Sequence, residues 1–277
     1  PALERFRGGE TNTDFSLDYC ANCKNCDISC PSGVPISTLN MLARAKQYKN
    51  KRRSLLDWMM SHSDLMSKLA SPMAALSNFG MANPLTKMIL KQVGITDKMS
   101  LPKYASKTFL QQFRAFKQQS FPDKVVFFSG CFINYYAPEV GMDLVAVMQR
   151  NKREVIVPEG LDCCGSPLVG KGYLDEAVEK ARTNIAALKP WFDQGIPVLT
   201  CCTSCGLMLK MEIQEMMDLE HMEQLAAHTY DASEYLLELH GQGKLNTEFA
   251  PVAGRYIYHT PCHLRAQGIG KPSLELL

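Results

Sequence analysis

No uninterrupted apolar run in this sequence approaches the ~18–20 residues that a membrane-spanning helix needs. The sequence also shows no signal peptide, phosphate loop, haem-attachment motif or nucleophile elbow. The stretch GKGYLDEA, which contains Gly170 and Gly172, is not a dinucleotide fingerprint because its third glycine is missing. These absences argue against a membrane span within these residues and leave no motif for a nucleotide-dependent enzyme or a serine hydrolase.

A disulfide framework is missing as well. The 11 cysteines are odd in number and bunched in pairs and triplets rather than spread along the chain. This bunching is typical of metal ligation in a reducing compartment, so we expect a cytoplasmic protein. The 277 residues, 46% hydrophobic and 21% charged, are sufficient for a globular core of one or two domains.

Four of the cysteines lie within the short segment CANCKNCDISCP. Cys20, Cys23, Cys26 and Cys30 follow the C-x2-C-x2-C-x3-C-P pattern of bacterial ferredoxins, and Pro31 closes it. Soft thiolate ligands at this spacing suit an iron–sulfur cubane. A zinc knuckle or reduced structural thiols are the alternatives, but zinc usually takes two separated cysteine pairs. The pattern therefore favours a cluster.

In this pattern the first three cysteines bind one cluster and the fourth binds a second cluster. The ligands that would complete both clusters do not occur between Cys30 and Cys131. Pro1 also stands where an initiator methionine would be. We therefore expect a second ferredoxin-type segment upstream of Pro1.

The middle of the chain has few acidic residues. Between Ile28 and Pro122 there are 14 basic and three acidic residues, a net charge of +11, whereas the whole chain has a net charge of +2. Apolar residues in this stretch recur at three- and four-residue steps, which is typical of amphipathic helices with basic polar faces. The two repeats are Leu65, Met66, Leu69, Met73 and Leu76, and Phe109, Phe113 and Phe116.

Three interpretations of this basic stretch are open. The apolar stripes could pack on the chain's own core while the charges are solvated. They could instead lie on an anionic membrane surface, to which the basic residues are attracted. Nucleic-acid binding ranks last, because no nucleic-acid module is recognisable and the rest of the chain is acidic. We expect the stretch from about Arg44 to Lys117 to dock on a membrane surface or on a partner subunit.

From Lys124 onwards, β and α patterns alternate. KVVFFSG, EVIVP, IPVLT and RYIYHT predict strands, and PEVGMDLVAVMQR, YLDEAVEKARTNIAALKPWF and SCGLMLKMEIQEMM predict helices. This alternation predicts a parallel sheet covered on both faces. The expected fold class is therefore α/β plus α, with a helical ferredoxin-type segment, basic amphipathic helices and a parallel-sheet cysteine-rich domain.

Every cysteine in this half follows a predicted strand, and the carboxyl ends of parallel strands meet at one sheet edge. We therefore expect Cys131, Cys163, Cys164, Cys202 and Cys205 to converge there. The C-x-x-C spacing selects Cys202 over its neighbour Cys201, which we expect to be a bystander, and Gly165 would let the backbone approach a cofactor closely. Such a set could bind an iron–sulfur cluster or, with four members, zinc. Buried structural thiols are the alternative, although we expect those to be scattered.

The segment HTPCH repeats the start of this pattern. Cys262 follows the predicted strand RYIYHT and is a further cofactor-binding candidate. The chain ends before a second CCG or C-x-x-C occurs, so we expect a duplicated unit that continues beyond Leu277. His259 and His263 flank Cys262 and either orient a ligand or are ordinary strand-end residues.

These motifs resemble the cysteine-rich iron–sulfur subunits of respiratory dehydrogenases and heterodisulfide reductases, and more closely those of the anaerobic glycerol-3-phosphate dehydrogenases. The resemblance extends over most of the chain. It departs from the family pattern in that a first ferredoxin segment and a second CCG half are absent. The segments that carry it are YCANCKNCDISCPSGVPI, HSDLMSKLASPMA, SLPKYASKTF, FFSGCFINYYAPEVGMDL, CCGSPL and YIYHTPCH.

The resemblance implies that Cys20, Cys23 and Cys26 bind one [4Fe–4S] cluster and that Cys30 binds another. It makes the five converging cysteines the ligands of a further site, holding iron–sulfur or zinc. It also implies a peripheral subunit at the cytoplasmic face of the inner membrane, which passes electrons from flavoprotein subunits towards the quinone pool and has no catalytic residue of its own.

Two other functions are alternatives: reduction of a disulfide at the CCG site, as in heterodisulfide reductases, and a zinc-stabilised interaction module. Glycolate and lactate oxidation systems use related subunits, so the electron donor rests on the resemblance alone. We expect four regions: a ferredoxin-type segment (1–40), basic amphipathic helices (41–122), a first cysteine-rich CCG domain (123–245) and the start of a second one (246–277).

Overall fold

The computed structural model describes residues 15–49, 53–92, 95–96, 101–251 and 253–277. Most of this structure is helical, and a small sheet lies in the second half of the chain. None of the described helices is long and apolar enough to cross a membrane. The first half contains 3₁₀ turns at Phe15–Tyr19 and Ser71–Met73 and α-helices at Asn25–Ser29, Ile36–Tyr48, Leu55–Ser61, Ser63–Ala70, Ala74–Ala82, Pro84–Gln92 and Phe109–Ala115.

The second half alternates strands and helices, as the sequence predicts. Its strands are β1 (Lys124–Phe127), β2 (Glu154–Ile156), β3 (Val198–Thr200) and β4 (Thr229–Asp231). Its helices are Gly130–Tyr135, Pro138–Arg150, Ser166–Gly170, Leu174–Phe192, Thr203–Leu207, the π-turn Met208–Glu212, Ile213–Met216, Met222–His228, Ala232–Gly241, Cys262–Ala266 and Pro272–Glu275.

The four strands are all parallel and lie in the order β2-β1-β3-β4. Val126 of β1 lies opposite Ile156 of β2 on one side and opposite Val198 of β3 on the other. β2 lies on one side of β1 and β3 lies on the other side. The direction in which strands are added to the sheet therefore reverses after β2. In open α/β sheets this reversal opens a crevice at the carboxyl ends of the strands, where ligands bind.

Helices cover both faces of the sheet. Val126 packs in one core with the helix Leu174–Phe192, and its neighbour Val125 packs in a second core with the helix Pro138–Arg150. Both valines are fully buried. A strand covered on both faces needs apolar side chains at successive positions, which explains the unbroken run in KVVFFSG. The predicted parallel, doubly covered sheet is confirmed.

The predicted strand RYIYHT is wrong. Residues 255–260 are all described and form no strand, and Ile257 is 99% exposed. The sheet edge beside β3 is occupied instead by β4, a strand of only three residues that the sequence pattern did not indicate. Alternating aromatic and β-branched residues favour a strand only where a neighbouring strand can pair with them.

The basic middle region is helical, as predicted, but its two apolar repeats have different surroundings. Phe109 is fully buried, and its ring centroid lies 5.2 Å from that of Phe127, so the repeat at 109–116 begins in the domain's own core. The other repeat leads into a surface that we call the exposed apolar face. Its members are 38% to 70% exposed: Leu65, Leu69, Met73, Leu76, Phe79, Leu85, Met88 and Ile89.

The predicted docking stretch from about 44 to 117 extends beyond what the structure describes. Residues 50–52, 93–94 and 97–100 of that stretch lie outside the described residues. Its described helices include Ser63–Ala70, which contacts the helix Gly130–Tyr135 at the edge of the sheet. The first repeat is thus connected to the sheet edge that carries the cysteines.

Candidate functional site

Five cysteines from three separate loops lie at the carboxyl edge of the sheet. Cys131 is in the first turn of the helix after β1, and Cys163 and Cys164 are in the loop after β2. Cys202 precedes the helix after β3, and Cys205 lies within that helix. We call these five side chains the thiol array. Their convergence is the one that the sequence predicts, while their role as ligands stays a prediction.

The side chains of the array lie next to one another along the sheet edge. The sulfur atoms of Cys131 and Cys163 are 3.7 Å apart. The pairs Cys163–Cys164, Cys164–Cys205 and Cys205–Cys202 shift each other's pKa values, which places their side chains close together. Cys163, Cys164 and Cys205 are buried, whereas Cys131 and Cys202 are partly accessible. The array therefore crosses the β1/β3 reversal, where a parallel sheet places its ligands.

The contacts lower the pKa of two members of the array and raise the pKa of the other three. Hydrogen bonding with Cys131 and Cys164 lowers the pKa of Cys163 to about 4. Hydrogen bonding with Cys205, aided by backbone N–H groups, lowers the pKa of Cys202 to about 6. The pKa values of Cys131, Cys164 and Cys205 are raised, in each case first by a hydrogen bond to a neighbouring cysteine and then by burial and charge. Two members of the array, Cys163 and Cys202, therefore have lowered pKa values, and the other three have raised ones.

Thiolates are the form in which cysteine binds metals, and soft sulfur donors suit iron–sulfur clusters and zinc. The chemistry of this donor set therefore fits an iron–sulfur cluster, whereas a single zinc ion would need a geometry that the described side chains do not have. Across the described ranges, no three or more His, Cys, Asp or Glu side chains are arranged to hold a single metal ion.

Cys201 lies apart from the array. It packs against the second core, on the face that includes Val125, and burial raises the pKa of its thiol to about 12. Cys202 contacts this core as well, so the bystander role of Cys201 stays a prediction.

Two glycines shape the loops of the array. Gly130 has a φ of 63°, and a Cβ at this position would lie 2.9 Å from the sulfur of Cys205. Only glycine allows both the left-handed backbone and the close approach of the β1 loop to Cys205. Gly165, which the sequence linked to a cofactor, has a φ of 88°, and its added Cβ would make ordinary contact with Ala177 at 3.5 Å. Its backbone conformation is therefore what requires glycine there.

A cavity of about 520 Å³ opens onto one end of the array. Cys131 and Cys163 line it together with Asp64, Lys68 and Phe113, which lie on two helices of the basic middle region. Ion pairs join this wall to the cysteine loop, because the Lys180 ammonium lies 2.8 Å from Asp64 and 2.9 Å from Asp162. A small molecule that entered this cavity would meet the Cys131 and Cys163 side chains.

The ferredoxin-type cysteines surround a short loop and one helical turn. Cys20 follows a 3₁₀ turn, Cys26 lies in the helix Asn25–Ser29, and Cys30 ends that helix. All four side chains are partly accessible. No hydrogen bond between their sulfur atoms is found in the part of the chain that the structure describes. Cys20 packs against the core cluster that also contains Cys163, Cys164 and Cys205, so this segment lies beside the array.

Buried polar contacts hold the ferredoxin-type loop on the cysteine-rich domain. The amide of Asn22 donates a hydrogen bond to Glu212, which is fully buried. The Lys24 ammonium lies 2.5 Å from Glu215 and donates to Thr38 at 3.0 Å. Glu212 and Glu215 belong to the helical segment that continues from Cys205. One segment therefore carries array cysteines at its start and binds the ferredoxin-type loop two turns later.

The structure places Cys262 at the start of the helix Cys262–Ala266 rather than after a strand. Within the described residues its sulfur makes no hydrogen bond to the thiol array. That helix packs on the helix Thr203–Leu207. Its next residue, His263, contacts Ser204 at 2.8 Å and the backbone oxygen of Asn22 at 3.0 Å. Residues 255–260 form no strand, so neither His259 nor His263 is a strand-end residue, and orientation of a ligand by either histidine stays a prediction.

Sequence reasoning missed several residues that build this region. Gly130 carried no motif of its own, although a glycine directly before a cysteine at a strand end is a signal for a tight turn. Glu212 stands between apolar residues in MLKMEIQEMM, and a charge on an apolar helix face indicates a buried partner. Asn22 and Lys24, inside the cysteine motif, have φ angles of 52° and 59° that no local pattern reveals.

The sequence model of a family described as cysteine-rich domain, abbreviated CCG, matches residues 125–210. This range contains all of β1 except Lys124, the whole of β2 and β3, and all five cysteines of the thiol array. No solved structure matches the chain.

Curated relatives match over longer ranges. A subunit of the anaerobic glycerol-3-phosphate dehydrogenase of Escherichia coli (strain K12) is 34% identical over 268 residues, which cover 95% of this chain and 67% of that relative. A subunit of the fumarate reductase (CoM/CoB) of Methanothermobacter marburgensis is 34% identical over 53% of this chain and 27% of its own length. Lactate utilization protein A 2 of Bacillus cereus (strain Q1) is 32% identical over 56% of this chain and 63% of its own length.

Proposed function

This chain belongs to the family of the matched anaerobic glycerol-3-phosphate dehydrogenase subunit, and we propose that it is the iron–sulfur electron-transfer subunit of a respiratory dehydrogenase. In this role it receives electrons from a flavoprotein subunit and passes them towards membrane quinones. Glycerol 3-phosphate is the substrate we propose for the complex. The relatives named for fumarate and lactate align with 53% and 56% of the chain, whereas the glycerol-3-phosphate dehydrogenase subunit aligns with 95%.

One observation carries this proposal: five cysteines from three loops meet at the ligand-binding edge of a parallel sheet, where the sulfur atoms of Cys131 and Cys163 are 3.7 Å apart. An iron–sulfur cluster, when bound, supplies one-electron redox chemistry. The thiol array would hold it, and the burial of Cys163, Cys164 and Cys205 would keep water away. A purely structural set of cysteines would not need to converge at this edge.

The ferredoxin-type cysteines complete the proposed relay. Cys20, Cys23 and Cys26 would hold one [4Fe–4S] cluster, and Cys30 would serve a second one. Because Cys20 packs against the core that contains the array, electrons would pass from this segment to the array within one subunit. Cys262 stays a candidate ligand of a second cysteine-rich half.

We propose that the exposed apolar face docks on an anionic membrane surface. Eight large apolar side chains between Leu65 and Ile89 are exposed there, and Lys68 and Lys87 lie on the same helices. An apolar face flanked by basic residues is the composition of helices that lie in the membrane interface. The subunit would thereby sit at the cytoplasmic face of the inner membrane without spanning it.

Liposome sedimentation tests this docking. Each basic residue near an anionic surface contributes about 1 kcal/mol, so Lys87→Gln should weaken binding about fivefold, and high salt should weaken it further. Lys244→Gln, on an exposed residue of the cysteine-rich domain, is the matched control and should bind normally. Equal binding to anionic and neutral lipids, or no binding to either, would contradict the proposal and leave a partner subunit as the ligand of this face.

A second candidate function is supported by the cavity of about 520 Å³ at Cys131 and Cys163. Its size suits a small molecule, and a cavity that reaches the array is what reduction of a disulfide substrate would need. Under this alternative, the protein supplied with excess dithionite as the electron donor should convert small organic disulfides to thiols over multiple turnovers, faster than dithionite does alone. A relay subunit should leave such disulfides unchanged.

The electron-transfer function is tested with the full-length chain purified anaerobically together with its flavoprotein partner. We expect iron and acid-labile sulfide in the chain, and bleaching of its visible absorbance when glycerol 3-phosphate is added. Zinc without sulfide would contradict the proposal and support the interaction module. Iron–sulfur that is reduced by dithionite but not by glycerol 3-phosphate would contradict the proposed substrate alone.

A further inference from the structure

One side chain joins the loops of the two proposed cluster sites. His263 Nε2 lies 3.0 Å from the backbone oxygen of Asn22, which is between Cys20 and Cys23. His263 Nδ1 lies 2.8 Å from the hydroxyl of Ser204, which is between Cys202 and Cys205. The imidazole thus joins the loop between Cys20 and Cys23 to the turn between Cys202 and Cys205.

The two contacts fix the tautomer of a neutral imidazole. A carbonyl oxygen can only accept, so Nε2 carries the hydrogen and donates it to Asn22. Nδ1 is then the acceptor and takes a hydrogen bond from the Ser204 hydroxyl. Both bonds are therefore satisfied by a single orientation of the ring, which makes His263 a directional link between the loops.

The helix that carries His263 is itself held in place at both ends of this link. Gln267 donates a hydrogen bond to the backbone oxygen of Thr203 at 3.1 Å, and Arg265 donates one to Asn25. The helix Cys262–Ala266 therefore contacts both cysteine-bearing loops independently of the imidazole.

The ferredoxin-type loop needs support of this kind. Asn22 and Lys24 are both in the left-handed region, with φ angles of 52° and 59°; asparagine tolerates this region, but it is unfavourable for lysine. Such a conformation persists where surrounding contacts hold it. Glu212 and Glu215 bind the side chains of these two residues, and His263 binds the backbone oxygen of Asn22.

We propose that His263 is a positioning residue that fixes the Cys20–Cys26 loop relative to the Cys202–Cys205 turn. This inference rests on the proposed function, because its consequence is the spacing of two redox centres within the subunit. Electron tunnelling slows steeply with distance, and hydrogen bonds outside the ligand shell set both ligand orientation and cluster potential. Loss of the link should therefore change transfer between the centres without removing a ligand.

The test compares three variants of the full-length chain. His263→Ala removes both hydrogen bonds, and His263→Gln restores a donor that can reach the Asn22 oxygen. His240→Ala, at an exposed histidine of the cysteine-rich domain, is the matched control. Iron and sulfide content, cluster potentials, spin–spin interaction in the reduced state, and the rate of electron transfer between the centres are measured for each.

We expect His263→Ala to keep the iron content of the control but to lose the spin–spin interaction and to slow transfer between the centres by about tenfold or more. His263→Gln should recover most of both properties. Spin interaction, potentials and transfer rate equal to those of His240→Ala would overturn the proposal. If His263→Ala does not fold, Ser204→Ala replaces it, since this change removes only the hydroxyl at one end of the link.

Hydrogen–deuterium exchange separates this proposal from the function on which it rests. It reports on the loop in the protein without iron, so it does not depend on cluster binding. Faster exchange of the amides of residues 20–26 in His263→Ala than in His240→Ala supports the link, and equal exchange refutes it. Absence of iron and sulfide from the unsubstituted chain would instead refute the electron-transfer function while leaving the link intact.

Discussion

Replacing Gly130 with alanine tests whether the thiol array depends on a close backbone approach. Gly130 has a φ of 63°, and the added Cβ would lie 2.9 Å from the sulfur of Cys205, a buried member of the array. Gly160→Ala is the matched control. Gly160 has a φ of 81°, but a Cβ there would meet no described atom within 4 Å.

The two substitutions share one cost and differ in another. A left-handed alanine costs roughly 1–2 kcal/mol at either position. At Gly130 the collision with Cys205 adds about 1–3 kcal/mol, as expected for overpacking in a rigid interior. Gly130→Ala should therefore reduce the unfolding free energy by about 2–5 kcal/mol, and Gly160→Ala by about 1–2 kcal/mol.

Urea unfolding followed by circular dichroism measures this difference as a shift of the midpoint at constant slope. Iron content is measured on the same samples, and it should fall in Gly130→Ala but not in Gly160→Ala, because only the first displaces a proposed ligand. Equal midpoints and equal iron content in the two variants would refute the close approach.

Three further predictions concern the core, the buried glutamate and the ferredoxin-type motif. Phe109→Ala should lower the unfolding free energy by about 3–5 kcal/mol in urea titrations. Phe79→Ala, on the exposed apolar face, should change the unfolding free energy by less than about 0.5 kcal/mol. It should instead weaken liposome binding. Burial raises the pKa of Glu212 above its usual 4.5, so this group should cost stability as the pH rises from about 4.5 through that raised pKa, and Glu212→Gln should remove this pH dependence. A pH series of urea midpoints that is identical for the two proteins would contradict that sign. Cys23→Ser should lower iron content and weaken the paramagnetic signal of the reduced protein, and an unchanged spectrum would remove Cys23 from the ligand set.

The sequence was sufficient for those parts of the fold that local pattern determines. The apolar run KVVFFSG and the helix periodicity of PEVGMDLVAVMQR predict elements that the structure contains as β1 and the helix Pro138–Arg150. Because parallel strands end at one edge, the same reading brings Cys131 and Cys163 together, and their sulfur atoms are 3.7 Å apart.

The rest depends on contacts between distant segments. RYIYHT has strand composition, but the position beside β3 is taken by β4, and residues 255–260 pair with no described strand. The bond between Asn22 and Glu212 joins residues 190 positions apart, and His263 contacts Asn22 across 241 positions. Periodicity reports on one element at a time and cannot predict such pairs. Periodicity also cannot predict which apolar residues are buried. Phe109 is fully buried and Phe79 is 70% exposed, although both are phenylalanines in helical segments of the basic middle region.

The measurement that tests the account most directly is iron and acid-labile sulfide analysis, with paramagnetic resonance of the reduced state, on the anaerobically purified full-length chain and two cysteine variants. Cys164→Ser removes a central member of the thiol array, and Cys201→Ser removes the neighbouring cysteine that packs in the second core. We predict iron and sulfide in the unsubstituted chain, a loss of both with an altered spectrum in Cys164→Ser, and no change in Cys201→Ser. Equal iron content and identical spectra in all three proteins would contradict it.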